Sequence, residues 1–228
     1  ELFDMILSYK TKWWGSILLI ITIWIFCQSF QYLHQDPADK QGEEIILFDG
    51  GSLDGWKITQ WKYRGEVRVE DEKLILEKGH ECTGVTWQRD FPKINYEVNL
   101  DAKRVKGNDF FCGMTFPVKD EYCSLIIGGW GGKLVGLSNI DGYDASDNST
   151  TTLRSFENDR WYHIRLRVTE NAIKAWIDED KVVDFKTEDH RFSVRMEVMW
   201  SRPFGICTFR TKGALRDIRA RHPVKPEK

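Results

Sequence analysis

The sequence predicts an all-β protein, an antiparallel β-sandwich of the jelly-roll type, preceded by a single transmembrane α-helix. Three observations carry this expectation. From Trp13 to Leu33 the chain runs 21 residues without a charged side chain, the length a helix needs to cross a hydrocarbon layer of ~30 Å. After Leu33, roughly a dozen runs of strand length follow one another, many alternating apolar and polar, and turn residues punctuate them. No segment beyond Leu33 keeps helical periodicity over about ten residues. At 228 residues, one medium domain plus an appendage is the expected organisation.

Residues 1–12 read as a cytoplasmic or interfacial segment. Leu2, Phe3, Ile6 and Leu7 recur at helical spacing, which suits a helix lying in a membrane surface. Residues 13–33 are the transmembrane helix. Trp13 and Trp14 mark one interface, and Phe30 and Tyr32 the other. Lys10 and Lys12 precede the span, whereas Asp36, Asp39, Glu43 and Glu44 follow it. The positive-inside rule then places the N-terminus in the cytoplasm and the β domain outside. The rival is a cleaved signal peptide, but no small-x-small site follows the apolar core. A lipoprotein signal at Cys27 is opposed by the bulky Trp24, Ile25 and Phe26 before it. Trp13, Trp14, Trp24 and Gln28 are therefore the expected membrane-spanning contacts, with lipid or with helices of partner proteins.

Residues 34–44, with Gln35–Gly42 reading QDPADKQG, form a polar linker, and the β domain occupies 45–221. Its opening stretch, Ile45 to Lys57, joins an apolar run to the dense turn Asp49-Gly50-Gly51-Ser52, after which Leu53 and Trp56 return to the core. Glu66–Glu70 and Lys73–Glu77 alternate across a turn at Asp71-Glu72. Tyr96–Ala102 is a further strand. Phe110–Phe116 and Glu121–Ile127 flank a turn at Pro117–Asp120. Trp161–Val168 alternates cleanly, and Ala172–Ile177 with Lys181–Phe185 makes a hairpin. Met196–Trp200, Gly205–Arg210 and Ala214–Ala220 complete the set. Residues 222–228, with Pro223 and Pro226, form a C-terminal tail.

Several of these motifs, in this order, resemble the 3-keto-disaccharide hydrolase domain family. LFDGGSLDGWK at Leu47–Lys57 is similar to its opening motif, and Glu66–Leu74 to its second strand pair. Arg160–Val168, Ala175–Asp184 and the Gly205–Phe209 and Ala214–Arg219 strands look like its late hairpin and closing strands. The resemblance spans about residues 45–221 and implies a concanavalin-like jelly roll. It also implies an exported protein of sugar-degrading bacteria, hence a single-pass protein of the bacterial inner membrane with its β domain periplasmic. Cleavage of 3-keto-glycosides is the activity it implies. Many members carry a polar mid-domain strand, but the comparable stretch here, Tyr122–Gly132, has no carboxylate or amide.

The chemistry-bearing candidates are scattered. Ile126–Gly132 (IIGGWGG) is a Gly-rich corner around Trp130. It serves either the bends of a curved sheet or the approach of a ligand, with Trp130 as a sugar platform. Trp200, Arg202 and Arg154 are further ligand-binding candidates, and Glu197, Glu66 and His163 candidate acid–base groups. Glycoside hydrolysis needs two spaced carboxyl groups. Lyase cleavage of a keto-sugar needs a base for an acidified C–H and an acid for the leaving oxygen. Asp141, Asp144 and Asp147 lie in a loop that either holds a cation or is simply polar. No CxxC pair exists, which argues against zinc, and no cofactor is implied. Cys112 and Cys123 fall opposite each other if the Phe110–Ile127 hairpin closes around Pro117 and Val118, giving either a disulfide or two core thiols.

A net charge of −2 supplies no footprint for nucleic acid. The sequence reads first as a non-catalytic accessory or scaffold subunit of a larger bacterial membrane complex, of respiratory or photosynthetic type. The alternative is a surface-anchored 3-keto-glycoside hydrolase or lyase, or a carbohydrate-binding module.

Overall fold

A computed structural model describes residues 42–223. The expected anchor at 13–33, with Trp13, Trp14, Trp24 and Gln28, lies outside the described residues, as do residues 1–12, most of the linker and residues 224–228. Among the described residues no helix is long and apolar enough to cross a membrane.

The described chain forms β1 (Glu43–Phe48), β2 (Trp56–Ile58), β3 (Val67–Glu70), β4 (Lys73–Leu76) and β5 (Cys82–Trp87). The long β6 (Tyr96–Lys106) follows, then β7 (Cys112–Val118), β8 (Glu121–Gly129), β9 (Leu134–Ser138) and the short β10 (Thr152–Leu153). Next come β11 (Tyr162–Val168), β12 (Ala172–Ile177) and β13 (Asp180–Lys186). A single 3-10 turn, Met196–Ser201, precedes β14 (Gly205–Phe209) and β15 (Lys212–His222). Two antiparallel sheets result. One runs β13-β12-β11-β6-β15-β4-β3, with β1 also pairing β15; the other runs β10-β9-β8-β7-β14-β5-β2. The expected antiparallel sandwich is thus the observed fold.

Alternation explains the first sheet. In β11, Tyr162, Ile164, Leu166 and Val168 face the core, while His163, Arg165 and Arg167 face outward. Period-2 patterning of this kind is what a strand shows when one face is buried and the other wet. The second sheet differs. All seven residues of β7 and the last seven of β8 are buried, so it is covered on both faces. Its inner side joins the main core through Met114, Phe116, Leu125 and Ile127. Its outer side carries a second, smaller cluster: Trp61, Cys82, Phe110, Ile126, Leu134, Ala145, Val198 and Cys207.

Two expectations are corrected, and one open alternative, the state of Cys112 and Cys123, falls to core thiols. Met196–Trp200 is not a strand. It is a 3-10 turn whose buried residues, Val198 and Ser201, are three apart, the spacing at which 3-10 side chains eclipse. The domain's first strand begins at Glu43, inside the stretch assigned to the linker. The Cys112–Cys123 disulfide does not form. The β7–β8 hairpin closes at Lys119-Asp120, two residues later than that pairing requires, so Val118 faces Glu121. Cys112 then pairs with Ile127 and Cys123 with Phe116. The thiols are several ladder positions apart, and both are free and buried. Burial alone pushes the Cys112 thiol up to about 12, and it does the same for Cys123 against weaker backbone hydrogen bonds.

Candidate active site on the outer face of the second sheet

The register of the second sheet sets the site. Ser138, Ser124, Thr115, Gly205 and Thr86 lie side by side across β9, β8, β7, β14 and β5. The next row is Gly136, Ile126, Gly113, Cys207 and Gly84. Small side chains dominate these rows because covering segments come close. A Cβ on Gly205 would sit 2.6 Å from the Ser201 carbonyl oxygen. Hydroxyls tie the cover down: Thr86 Oγ1 donates to the Trp200 carbonyl at 3.0 Å. The Trp61 indole N–H donates to the Glu197 carbonyl at 2.8 Å.

At one side of this cover is a cavity of about 250 Å³. Phe110, Ile126, Val198 and Phe209 form its apolar lining, and Asp109, Ser138, Arg195 and Glu197 its polar lining, with Trp130 at its edge. Trp130 is 44% exposed. The Gly-rich corner holds it there. Trp130 itself adopts a left-handed φ of 45°, followed by Gly131 at 85° and Gly132 at 98°. Asp109 organises the corner: its carboxylate accepts the N–H of Phe110 at 2.8 Å and backbone hydrogen bonds from Trp130 and Gly131. The glycines therefore serve the bend, and the bend presents the tryptophan.

Opposite stands an ionic cluster. Arg195 Nη2 donates to Glu197 Oε1 at 2.8 Å, and its Nη1 donates to Asp144 Oδ2 at 2.6 Å. Its guanidinium carbon is 5.7 Å from the Trp130 ring centroid. Two carboxyl groups of one cavity are thus pushed in opposite directions. Burial raises Asp109 above the usual aspartate range, and its backbone hydrogen bonds and the distant Arg210 charge only partly offset this. The hydrogen bond from Arg195 holds Glu197 below the usual glutamate range despite partial burial. For Asp144, burial acts upward, but hydrogen bonds from Ser146 and the Arg195 charge together keep it low.

The sequence candidates fall on different sides of the molecule. Trp130 and Glu197 meet at the cavity. Glu66 precedes β3 of the other sheet, beside Arg68 at 3.6 Å. His163 is on the outer face of β11, where its Nδ1 is 3.0 Å from Asp101. Neither joins Glu197 in an acid–base set. Arg154 binds Asp180 at 2.9 Å and Asp178 at 3.5 Å, tying β10 to the β12–β13 turn. Trp200, inside the 3-10 turn, and Arg202, just after it, are not among the cavity's lining residues; Trp200 is 64% exposed and Arg202 lies 5.6 Å from the Tyr122 ring. Asp141 is engaged by His190 and the Arg191 N–H, Asp144 by Arg195, and Asp147 donates its own N–H to the Asp144 carbonyl. No metal-holding cluster of three such residues occurs among the described residues. Sequence reasoning missed Asp109 and Arg195. The available signals were an acidic residue capping a turn before Phe110-Phe111, and the Arg195-x-Glu197 spacing.

A family model described as the 3-keto-alpha-glucoside-1,2-lyase-like domain matches residues 43–221. The chain belongs to this family. Its membership covers the whole sandwich, including every residue of the cavity. No curated protein matches the chain. Among solved structures, the family member is similar to a Bacillus subtilis protein of unknown function with a galectin-like fold. They share 12% identity and a TM-score of 0.58, over 82% of this chain and 99% of that one. A Crh5 transglycosylase in complex with NAG gives 0.55 at 12% identity, over 82% and 87%. The carbohydrate-binding module CBM66 from Bacillus subtilis gives 0.50 at 12% identity, over 73% and 95%. At these identities the likeness establishes a shared fold.

Proposed function

We propose that this domain cleaves 3-keto-glucosides by elimination, in the cavity on the outer face of the second sheet. The observation that carries the reading is the divergence of two carboxyl groups in one cavity, Asp109 upward and Glu197 downward. Such splitting is how one site comes to hold groups with different proton-transfer roles. The family's name, and relatives of the same fold named for carbohydrate binding and transglycosylation, support the substrate class.

In the elimination, the C3 ketone acidifies the C2–H bond. A base removes that proton, the electron pair becomes the C1=C2 double bond, and the C1–O bond breaks. The departing oxygen takes up a proton. Asp109 is assigned the proton transfer, because a carboxylate with a raised pKa is both a better base and a readier acid at neutral pH. Arg195 makes three hydrogen bonds to Glu197 and Asp144, and a guanidinium has five N–H donors. Its remaining donors are assigned to the C3 oxygen, where negative charge develops. Glu197, locked to Arg195, is a weak base and is assigned to orienting it. Trp130 is assigned to packing on the sugar ring.

The described residues hold no feature favouring the accessory-subunit reading, whereas the family and the cavity favour carbohydrate. Part of the proposal is that residues 13–33 hold the domain at the periplasmic side of a bacterial inner membrane. The test is turnover of a 3-keto-disaccharide and a 3-keto-alkyl glucoside by the purified chain, followed through the absorbance of the enone product. Asp109→Asn should lower kcat by about 10²–10⁴. Undiminished turnover in that variant, or none in the wild type, would refute the assignment.

A further inference from the structure

One buried charge takes no part in the assigned chemistry, yet it grips the corner that presents Trp130. Arg104, on β6, is 7% exposed. It is not among the cavity's lining residues. Its Nη1 donates to the Gly132 carbonyl at 3.2 Å, its Nη2 to the Phe156 carbonyl, and its Nε to Asn158 Oδ1 at 2.8 Å. All three acceptors are neutral. Burial works against the charge and lowers the arginine's pKa, and Tyr162 and Asp109 oppose this more weakly. A cation kept in such a place depends on its hydrogen bonds to offset the lost hydration.

These bonds complete a grip on the corner from both sides. Asp109 accepts the backbone N–H groups of Trp130 and Gly131, and Arg104 donates to the carbonyl of Gly132, one residue on. An anion takes the donors of this short stretch and a cation takes its acceptor. Between them Trp130 is held at a φ of 45°, a region that bulky side chains seldom adopt. Gly132 meets the guanidinium closely: a Cβ there would lie 2.7 Å from Arg104 Nη1. A guanidinium presents its donors in one rigid plane, so three fixed acceptors orient it and it orients them. A lysine ammonium on its flexible stem does not do this.

We propose that Arg104 is a positioning residue for sugar binding, holding the corner through the Gly132 carbonyl so that Trp130 meets the sugar ring. The proposal rests on the assignment of Trp130 to packing on that ring. Arg104 acts through Trp130, so its loss weakens binding more than turnover.

The test has two readouts on the full chain in detergent micelles. The first is hydrogen–deuterium exchange without ligand. Arg104→Lys should speed exchange across residues 128–133 by about tenfold or more, with β11 and β12 unchanged. The second is steady-state kinetics with methyl 3-keto-α-glucoside. Arg104→Lys should raise KM about tenfold and leave kcat within about threefold, the split expected when an interaction common to ground and transition states is lost. Trp130→Ala should raise KM as well, and combining it with Arg104→Lys should add little, because both act through one contact. Asn158→Ala removes one acceptor and leaves Arg104 in place. It should show both effects in reduced form, and it carries the test if thermal melts show that Arg104→Lys does not fold. Unchanged exchange at 128–133 in a folded variant, or KM effects of Arg104→Lys and Trp130→Ala that multiply independently, overturns the positioning role while wild-type turnover leaves the elimination reading standing. If the wild-type chain turns over no 3-keto-glucoside, the elimination reading fails, and the exchange result alone then decides whether Arg104 holds the corner.

Discussion

The two sheets of this sandwich share one core yet differ on their outer faces. The first sheet shows solvent a conventional charged surface: Arg167 pairs with Glu97 at 2.7 Å, and Asp101 is held between His163 and Arg216. The second sheet's outer face is small, hydroxyl-bearing and covered, with a second apolar cluster and a cavity above it. The contrast teaches where to look for function in an all-β chain. A face that alternates has been assigned to water. A face that a strand buries twice has been reserved for packing, or for a ligand.

Substitutions sharpen the contrast. The largest stability losses should come from the shared core. Leu166→Ala and Leu125→Ala, one from each sheet's inner face, should each cost about 2–5 kcal/mol in urea denaturation. Ile126→Ala, on the outer face of the second sheet, should cost about 1–3 kcal/mol, since part of its surface already borders the cavity. His163→Ala, on the outer face of the first sheet, should stay within about 0.5 kcal/mol. Equal costs for Ile126→Ala and His163→Ala would erase the distinction between the faces.

A smaller effect concerns pH. Asp109 has a folded pKa raised above its unfolded value, so the folded state binds its proton more tightly. Its contribution is intact below the unfolded pKa and is lost as pH rises through the folded one. Glu197 has the opposite sign: its contribution is present above the unfolded pKa and is lost as pH falls through the folded value. Its side chain is 49% exposed, so solvent screening keeps that contribution small. Chemical denaturation as pH rises from the ordinary aspartate range should therefore show a decline in wild-type stability that Asp109→Asn lacks. Parallel curves would remove Asp109's perturbation from the account.

The smallest effect is chemical. Cys82, Cys112, Cys123 and Cys207 are free and buried, and Cys82 is pushed further up by its hydrogen bond to Cys207. Mass spectrometry after brief iodoacetamide treatment of the folded chain should find none of the four alkylated, and all four after unfolding. A bridge between Cys112 and Cys123 would contradict the β7–β8 register.

The first sheet was legible in the sequence. The alternation of Tyr162–Val168 and of Val67–Glu70 places each side chain on the face it occupies. The opening turn was legible for a similar reason: Asp49 accepts the Gly51 N–H at 2.9 Å, the bond its turn chemistry predicts. In the second sheet the strands β7, β8 and β14 were legible but their faces were not, because burial on both faces removes the period-2 signal. Phe116, Ile126 and Ile127 look alike in sequence, whichever face they serve. Of the two alternatives for Cys112 and Cys123, the paired one failed on hairpin register, which hinges on where a turn closes. A turn two residues later in the chain moved every partner along β7. Of the candidate site, Trp130 and Glu197 were visible as residue types. Their meeting, and the burial that perturbs Asp109, depend on contacts distant in sequence, such as Arg195 with Asp144 and Trp61 with Glu197.

Hydrogen–deuterium exchange tests most directly whether the covered face is the binding face. The catalytically silenced Asp109→Asn chain would be measured with and without a saturating 3-keto-alkyl glucoside. Slowed exchange should be confined to residues 109–111, 128–133 and 195–199, with the first sheet's amides unchanged. Protection on β6, β11 or β15 instead, or no protection anywhere under conditions that saturate turnover in the wild type, would contradict the account.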